Sequence, residues 1–194
     1  NKIKEGIIGE IIQVSSFYVY GLLTTGTHLI DTLRMLLKDV CGDVDSVSGF
    51  KNNMGNFKSK DDENYDAVIK FKNGLNASIQ SLDMKSYDNF DIYLYGKKGK
   101  ILITGIGREI LKFKIIDSPE HSKFTELSNL STSINRSKKP RPQFRKLSEN
   151  AIECLKKNKF PLCDAIESYK DMLIIEGIIK SSKKNSSFVK IKYQ

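Results

Sequence analysis

Residues 7–20 read IIGEIIQVSSFYVY and residues 27–38 read THLIDTLRMLLK, and the change of pattern between them decides the fold. The first stretch is rich in β-branched and aromatic residues and has no helical period, so it predicts one long strand. The second stretch places leucine and isoleucine along one stripe at helical spacing, which predicts an amphipathic helix. Thr25 is the expected N-cap of this helix.

The region from residue 44 to residue 116 predicts a series of short strands separated by turns. Asn73-Gly74 is a hairpin signal, and the Gly-Lys-Lys-Gly turn at residues 96–99 joins the next pair of strands. Strands joined this tightly pair antiparallel, which predicts a meander. The predicted strands cover residues 44–51, 66–72, 76–83, 89–95, 100–104 and 110–116.

The last third of the chain changes pattern again. Residues 117–143 are polar, hold three of the four prolines and show no period, so they predict a long surface loop. Helices are predicted at residues 146–157 and 164–182, the second with Asp164 as its N-cap. Residues 187–193 predict an edge strand.

These elements together predict an α+β fold, in which a large and predominantly antiparallel sheet carries helices on one face. Residues 92–95 (IYLY) and 101–104 (ILIT) place apolar or aromatic side chains on both sides of their strands. We therefore expect the other face of the sheet to be used for oligomerisation, at least as a homodimer.

Length and charge narrow the classes of function. A chain of 194 residues suits one compact domain. The net charge of +9 raises nucleic acid as a partner, but only five of the 32 basic residues are arginine, the residue that bidentate phosphate contacts favour. We expect no nucleic-acid partner. No stretch reaches 18 apolar residues, so we also expect no membrane partner.

The three cysteines show no C-x-x-C spacing and are odd in number. This pattern argues against a disulfide framework and against a zinc site, so no metal is expected. Reduced thiols are typical of a cytoplasmic protein, which is the predicted location.

Candidate chemistry concentrates in the first turn of the predicted helix at 27–38. His28 is one of two histidines, and at a helix N-terminus the macrodipole disfavours imidazolium, so the ring is expected to be neutral and able to accept a proton. Asp31, three residues on, is placed to fix the ring tautomer. Tyr20 is placed to point at whatever His28 faces. The alternatives are a histidine bonded to a neighbouring carbonyl and a tyrosine of the core.

Four motifs occur in order along the chain. They are EGIIGE at residues 5–10, GTHLID-x-x-R at 26–34, FDI-x-x-YG-x-x-G at 90–99, and DA-x-x-S at 164–168, which is followed by Ser181-Ser182. In this order and spacing the chain resembles the C-terminal domain of the Gfo/Idh/MocA oxidoreductases, the glucose-fructose oxidoreductase and inositol dehydrogenase family. The resemblance implies that residues 1–194 are a single substrate-binding and dimerisation domain. It also implies that an N-terminal Rossmann domain, which binds NAD or NADP, is absent from this chain.

The reaction implied by the resemblance is hydride transfer between nicotinamide and a carbon of a sugar, nucleotide sugar or cyclitol. His28 matches the family's active-site histidine, a general acid/base or a ligand of the substrate hydroxyl. Many members carry an Asp four residues earlier, where this sequence has Thr24, which can hydrogen-bond a hydroxyl but carries no charge.

The expected catalytic residues are thus His28, Thr24 and Asp31, and the expected substrate-binding residues are Tyr20, Thr25 and Lys85. By itself the fragment is expected to be inactive, because it lacks the nucleotide-binding half. The alternative function, motivated by Thr24, is a non-catalytic sugar-binding or dimerisation module of the same fold.

Overall fold

The structure is a computed structural model that describes residues 3–53, 61–83, 85, 87–105, 107–136, 142–161 and 163–193, with the backbone alone at 135–136 and 142–144. Within these residues, nine strands form a single sheet, accompanied by three α-helices and a short π-helical turn. The strands are β1 (Ile11–Tyr18), β2 (Val44–Asn52), β3 (Asn64–Phe71), β4 (Asn76–Ser81), β5 (Phe90–Gly96), β6 (Gly99–Thr104), β7 (Glu109–Asp117), β8 (Thr125–Arg136) and β9 (Val189–Lys190). The π turn is Leu22–Gly26, and the helices are α1 (Thr27–Cys41), α2 (Pro142–Lys157) and α3 (Ala165–Ser182).

The strand order of the sheet is β8-β7-β6-β5-β1-β4-β3-β2-β9. The predicted meander is present in two pieces, β2 to β4 and β5 to β8, and β1 lies between them. It pairs parallel with β4 and antiparallel with β5. Turn signals specify only strands joined by short turns. The longer connection between β4 and β5 easily spans the width of one extra strand, about 10 Å.

The predicted helix-covered face of the sheet is confirmed. Alternate residues of β1, including Val14 and Tyr18, are buried on this face. Helix α1 buries its predicted stripe, and α3 buries Ile174, Ile175 and Ile178 over β2. A Cβ at Gly49 of β2 would fall 2.3 Å from the carbonyl oxygen of Ile178. The glycine therefore permits the close approach of α3 to the sheet.

The predicted loop at 117–143 is wrong over much of its length. Strand β8, Thr125–Arg136, pairs antiparallel with β7, and α2 begins at Pro142. Strand β8 is the outermost strand beyond β7, and most of its described side chains are exposed. An edge strand with little to bury needs no apolar alternation, so its sequence resembles that of a loop.

The ends of the first two elements also differ from the prediction. Strand β1 begins at Ile11 because residues 3–8 form turns, and it ends before Tyr20, whose φ of 68° is left-handed. Thr25 is not the N-cap of α1. It lies inside the π turn, and the N-cap position is Gly26, which makes no side-chain capping bond.

Two other local predictions, the Asp164 cap and the edge strand near the end of the chain, are confirmed. Asp164 caps α3 by accepting a hydrogen bond from the Glu167 amide at 2.9 Å. Strand β9 lies at the edge of the sheet beside β2. The three cysteines are free. In the part of the chain that the structure describes, no helix is long and apolar enough to cross a membrane.

Candidate active site at the start of the first helix

The parallel pairing of β1 with β4 brings distant segments to one end of the sheet. Tyr18 and Ser81 are register partners at the ends of these strands, and the Leu82 amide donates to the Tyr18 carbonyl at 2.8 Å. The segment after β1 leads into α1, and the segment after β4 contains Lys85. The structure thus places Lys85 at the same end of the sheet as the His28 helix, a neighbourhood that no local pattern in the sequence indicates.

His28 lies in the first turn of α1 with its side chain exposed. Its carbonyl accepts a hydrogen bond from the Thr32 hydroxyl at 2.7 Å. Among the described residues its ring makes no hydrogen bond, so both ring nitrogens are open to a ligand. Asp31 makes no hydrogen bond to the His28 ring. The Cys163 thiol lies 3.9 Å from its Oδ1 atom.

Thr24 is held by a residue that the sequence analysis missed. Asp62 accepts hydrogen bonds from the Leu23 amide at 2.7 Å, from the Thr24 amide at 2.9 Å and from the Thr24 hydroxyl at 2.6 Å. The first amides of a helix have no partner within the helix, so a carboxylate there acts as a cap. Asp62 follows Thr24 by 38 residues, and local pattern cannot reveal a cap supplied from so far along the chain.

The Asp62 carboxylate packs directly against the backbone of Gly21. A Cβ at Gly21 would fall 1.9 Å from the Asp62 carboxyl carbon. The next amide along, that of Leu22, donates to the Glu63 carbonyl at 3.1 Å. Residues 62–63 therefore hold the first residues of the π turn by hydrogen bonds. We call this contact between residues 62–63 and residues 21–24 the clasp.

Tyr20 and Tyr18 have opposite environments. Tyr18 is fully buried, its hydroxyl donates to the Tyr65 carbonyl at 2.7 Å, and burial raises its pKa. Tyr20 is 37% exposed, and its left-handed backbone interrupts the alternation of β1. Left-handed backbone is costly for a bulky residue and is enriched at functional sites. Tyr20 is therefore the tyrosine that a ligand can reach.

A cavity of about 320 Å³ adjoins the clasp. Glu63, on its wall, accepts hydrogen bonds from Lys51 Nζ at 2.6 Å and from the Tyr65 hydroxyl at 3.0 Å. These two bonds lower the pKa of Glu63. The lining residues are Leu22, Leu23, Asp61, Asp62, Glu63, Tyr65, Ile179 and Lys183.

Arg34, the last residue of the GTHLID-x-x-R motif, anchors α1 to α3. Its side chain is 2% exposed and contacts three carboxylates, at 2.6 Å for Asp171, 2.9 Å for Glu167 and 3.3 Å for Asp43. Burial raises the pKa of Asp171 to about 6 against the opposing effect of Arg34. For Glu167, hydrogen bonds from Lys170 and Lys38 outweigh burial and lower the pKa to about 2. The helix that carries His28 is thus fixed two turns further on.

The glycine-rich segment between β6 and β7 is not the strand-to-helix turn that binds dinucleotides. Gly105 and Gly107, with φ of 60° and 73°, lie in the connection between β6 and β7, not in a strand-to-helix turn. Among the described residues, no group of three or more His, Cys, Asp or Glu side chains is arranged to hold a metal ion. The described residues at the end of β1 and at the start of α1 present an exposed polar surface.

Comparison with known proteins places this arrangement in a family. A family profile described as "Oxidoreductase family, C-terminal alpha/beta domain" (GFO_IDH_MocA_C) matches residues 1–191. The chain belongs to the Gfo/Idh/MocA oxidoreductase family. A search of curated protein sequences gave no significant match for this Gfo/Idh/MocA domain.

Solved structures share the fold of the Gfo/Idh/MocA domain. A levoglucosan dehydrogenase in complex with NADH and levoglucosan has a TM-score of 0.75 at 16% identity, over 97% of this chain and 61% of its own. The WlbA dehydrogenase from Bordetella pertussis, in complex with NADH and UDP-GlcNAcA, has a TM-score of 0.68 at 15% identity, over 99% and 59%. An oxidoreductase domain protein from Kribbella flavida has a TM-score of 0.72 at 12% identity, over 98% and 60%. The chain therefore spans about three fifths of the length of these structures.

Proposed function

We propose that this chain is the C-terminal, substrate-binding domain of an NAD(P)-dependent dehydrogenase that acts on a sugar, nucleotide sugar or cyclitol. The observation that carries the proposal is the exposed His28 ring at the start of α1, in a chain of an oxidoreductase family. We also propose that an upstream Rossmann domain belongs to the complete protein, because the chain covers only 61% of the levoglucosan dehydrogenase. The same reasoning supports inactivity of this chain alone.

His28 exchanges a proton with the substrate hydroxyl in this proposal. Its ring makes no hydrogen bond among the described residues, so a ring nitrogen is left to accept that proton. Thr24 hydrogen-bonds a second hydroxyl of the substrate. Asp31 lies about one helical turn beyond His28. Tyr20, Thr25 and Lys85 are the proposed substrate-binding residues at the same end of the sheet.

The nicotinamide of NAD or NADP, when bound, supplies the hydride acceptor or donor. We assign its binding to the proposed upstream domain, because the glycine-rich segment of this chain lies between two strands and not at the start of a helix. NADH accompanies levoglucosan in one structural relative and UDP-GlcNAcA in another. These pairs support a nicotinamide cofactor and a carbohydrate substrate. We further propose a cytoplasmic location, because all three cysteines are free.

The full-length protein tests the function directly. NAD+ or NADP+ reduction is followed at 340 nm with levoglucosan, myo-inositol and UDP-GlcNAcA as substrates. His28→Ala should lower kcat by at least about 100-fold, the scale of general acid-base catalysis. His121→Ala is the matched control, because His121 is also exposed and lies between β7 and β8. Equal turnover by wild type and His28→Ala overturns the catalytic role, and sugar binding without cofactor reduction favours the non-catalytic module.

We propose in addition that the sheet face opposite α1 and α3 joins two copies of the chain. Along β5, Tyr93 and Tyr95 alternate with the buried residues Ile92 and Leu94 and therefore face away from the helices. The Lys100 ammonium group lies 5.9 Å and 5.8 Å from the ring centroids of the two tyrosines, and 4.1 Å from that of Phe113. An aromatic surface of this kind is typical of subunit interfaces.

Sedimentation velocity measures the proposed dimer. At tens of micromolar, the range of a specific dimer, the protein should sediment as a dimer or larger species. Tyr93→Asp should shift it towards monomer, whereas Lys190→Asp, at the sheet edge, should not. A clean monomer for the wild type at this concentration contradicts the proposal.

A further inference from the structure

We propose that Asp62 is a positioning residue that fixes the Thr24 hydroxyl as a hydrogen-bond acceptor for a hydroxyl group of the substrate. The inference rests on the proposed function, because it deepens the role of Thr24 at the same site. It adds a residue, Asp62, that the sequence places outside the GTHLID-x-x-R motif.

The direction of one hydrogen bond carries the inference. Thr24 Oγ1 lies 2.6 Å from Asp62 Oδ2, and that oxygen also accepts from the Thr24 amide. A carboxylate has only acceptors, so the single hydroxyl proton of Thr24 must point towards Asp62. The lone pairs of Oγ1 are all that remains for another partner. Thr24 can therefore accept from a ligand but cannot donate to it.

The clasp also fixes where Oγ1 lies. The second carboxylate oxygen, Asp62 Oδ1, accepts from the Leu23 amide at 2.7 Å, so both oxygens are tied to the backbone of the π turn. Gly21 leaves room for the carboxyl group, since a Cβ there would fall 1.9 Å from its carbon. The Asp62 side chain is consequently held by three bonds and one close backbone contact, with Thr24 at its tip.

Thr24 precedes His28 by four residues, about one turn of helix. Through the π turn and the first turn of α1, this spacing puts the two side chains on nearly the same face of the helix. The Thr24 oxygen and a ring nitrogen of His28 are then two acceptors side by side. A sugar or cyclitol presents neighbouring hydroxyl groups, each with one proton to donate. One hydroxyl can bind Thr24 while the other gives its proton to His28.

This polarity predicts specificity for a hydroxyl at the carbon next to the reacting one. A site acceptor left without its donor loses affinity steeply, because a polar group then goes unpaired. An analogue that is deoxy or O-methylated at that carbon should be turned over about tenfold more slowly by wild type. Thr24→Val should discriminate less between the sugar and its analogue.

A double-mutant cycle on the full-length protein is the main test, with whichever of levoglucosan, myo-inositol and UDP-GlcNAcA is oxidised fastest. Asp62→Ala removes both acceptor oxygens, which leaves the Thr24 proton without its fixed acceptor and the hydroxyl free to rotate. We expect kcat/KM to fall about tenfold in Asp62→Ala and in Thr24→Val. In the double variant we expect no further fall, because Asp62 acts through the Thr24 hydroxyl.

Two controls separate positioning from folding. Thr24→Ser keeps the hydroxyl and should recover most of the kcat/KM that Thr24→Val loses. Asp39→Asn removes an exposed aspartate from the opposite end of α1, where it lies 3.6 Å from Lys4 Nζ, and should leave kcat/KM unchanged. Additive losses in the double variant, or loss of activity in Thr24→Ser, overturn the inference.

Amide hydrogen exchange makes the result independent of turnover. Asp62→Ala should speed exchange at the Thr24 amide, whereas Thr24→Val should leave exchange at Leu23 unchanged. If none of the three carbohydrates is oxidised, the proposed function fails on its own. In that case equal exchange at Thr24 in wild type and Asp62→Ala overturns the inference as well, and faster exchange supports the clasp.

Discussion

His28 and Arg34 lie near the two ends of the GTHLID-x-x-R motif and belong to one helix. They differ in exposure and in bonding partners. His28 is exposed, and its ring makes no hydrogen bond among the described residues. Arg34, less than two turns on, is 2% exposed and contacts three carboxylates. A group that must meet a ligand has to leave its bonding atoms open. A buried charge, in contrast, must be paired to be tolerated at all.

The difference teaches that a short motif can combine two separate requirements. Its first half places the His28 side chain at the end of the sheet. Its last residue, Arg34, fixes the helix that carries His28. The two halves can be distinguished by experiment, because one should govern activity and the other the free energy of unfolding.

Arg34→Met should give the largest effect. It leaves the buried Asp171 carboxylate without its cation, whereas Glu167 keeps Lys38 and Lys170. Breaking a buried ion pair in this way costs about 3–5 kcal/mol. Urea unfolding followed by circular dichroism measures the change. Replacing Asp171 by Leu in the same variant should recover part of the loss, because the burial of an unpaired charge is then removed. A loss below about 1 kcal/mol for Arg34→Met would erase the contrast between the two ends.

Glu167→Gln should alter the acid limb of the stability curve. The pKa of Glu167 is about 2 in the folded protein against an ordinary value of 4.5, so its contribution is present above pH 4.5 and is lost as the pH falls towards 2. We expect about 2 kcal/mol of this acid-side loss to disappear in Glu167→Gln. Unfolding free energies at pH 2.5, 4.5 and 7 measure it.

Asp171→Asn is the counterpart with the opposite sign. The pKa of Asp171 is about 6, above its ordinary 3.8, so this group makes the folded state less stable as the pH rises between these values. Asp171→Asn should remove that downward slope. If both variants keep the wild-type curve, the network around Arg34 does not control the pH dependence.

Gly21→Ala should have a smaller effect, confined to the clasp. Its backbone angles of φ −77° and ψ 166° suit alanine, so the cost comes from the new Cβ, which displaces the Asp62 carboxylate. We expect a loss of about 1 kcal/mol, as for a removed helix cap. Asp62→Ala should cost the same, and the double variant no more than either. Additive losses in thermal unfolding would show that Gly21 matters for another reason.

His28→Ala should be the smallest change in stability, within about 0.5 kcal/mol of wild type, because an exposed side chain without bonds contributes little. The same variant is the one expected to lower kcat by at least about 100-fold in the full-length protein. Urea unfolding of the wild type and of His28→Ala measures this difference in the free energy of unfolding. A destabilisation as large as that of Arg34→Met would mean that His28 serves the fold and that the two ends of the motif do not differ.

Much of the local structure followed from sequence pattern. The stripe of α1, the strands β2 to β7 and the Asp164 cap were predicted within a few residues, because periodicity and capping depend on near neighbours. Strand β8 was missed, since an exposed edge strand has no apolar alternation to detect. The Thr25 cap was wrong because the helix begins with a π turn that is capped from elsewhere.

For the candidate site, the sequence indicated the residue types but not their partners. The motif singled out His28 and Arg34, and the position four residues before the histidine singled out Thr24, but neither gave any sign of Asp62 or of the carboxylates of α3. These partners come from 38 and from more than 130 residues further along the chain. A contact over such a distance leaves no period or spacing in the sequence.

The sequence alone therefore determined which segments become strands or helices and which side chains stand at the start of α1. Local sterics and the alternation of apolar residues are enough for that. Only the tertiary structure decided that β1 enters the sheet between β4 and β5, that Lys85 comes to the same end as His28, and that Asp62 closes on Thr24. Pairing between distant strands is selected by the burial of the whole core, which no single segment encodes.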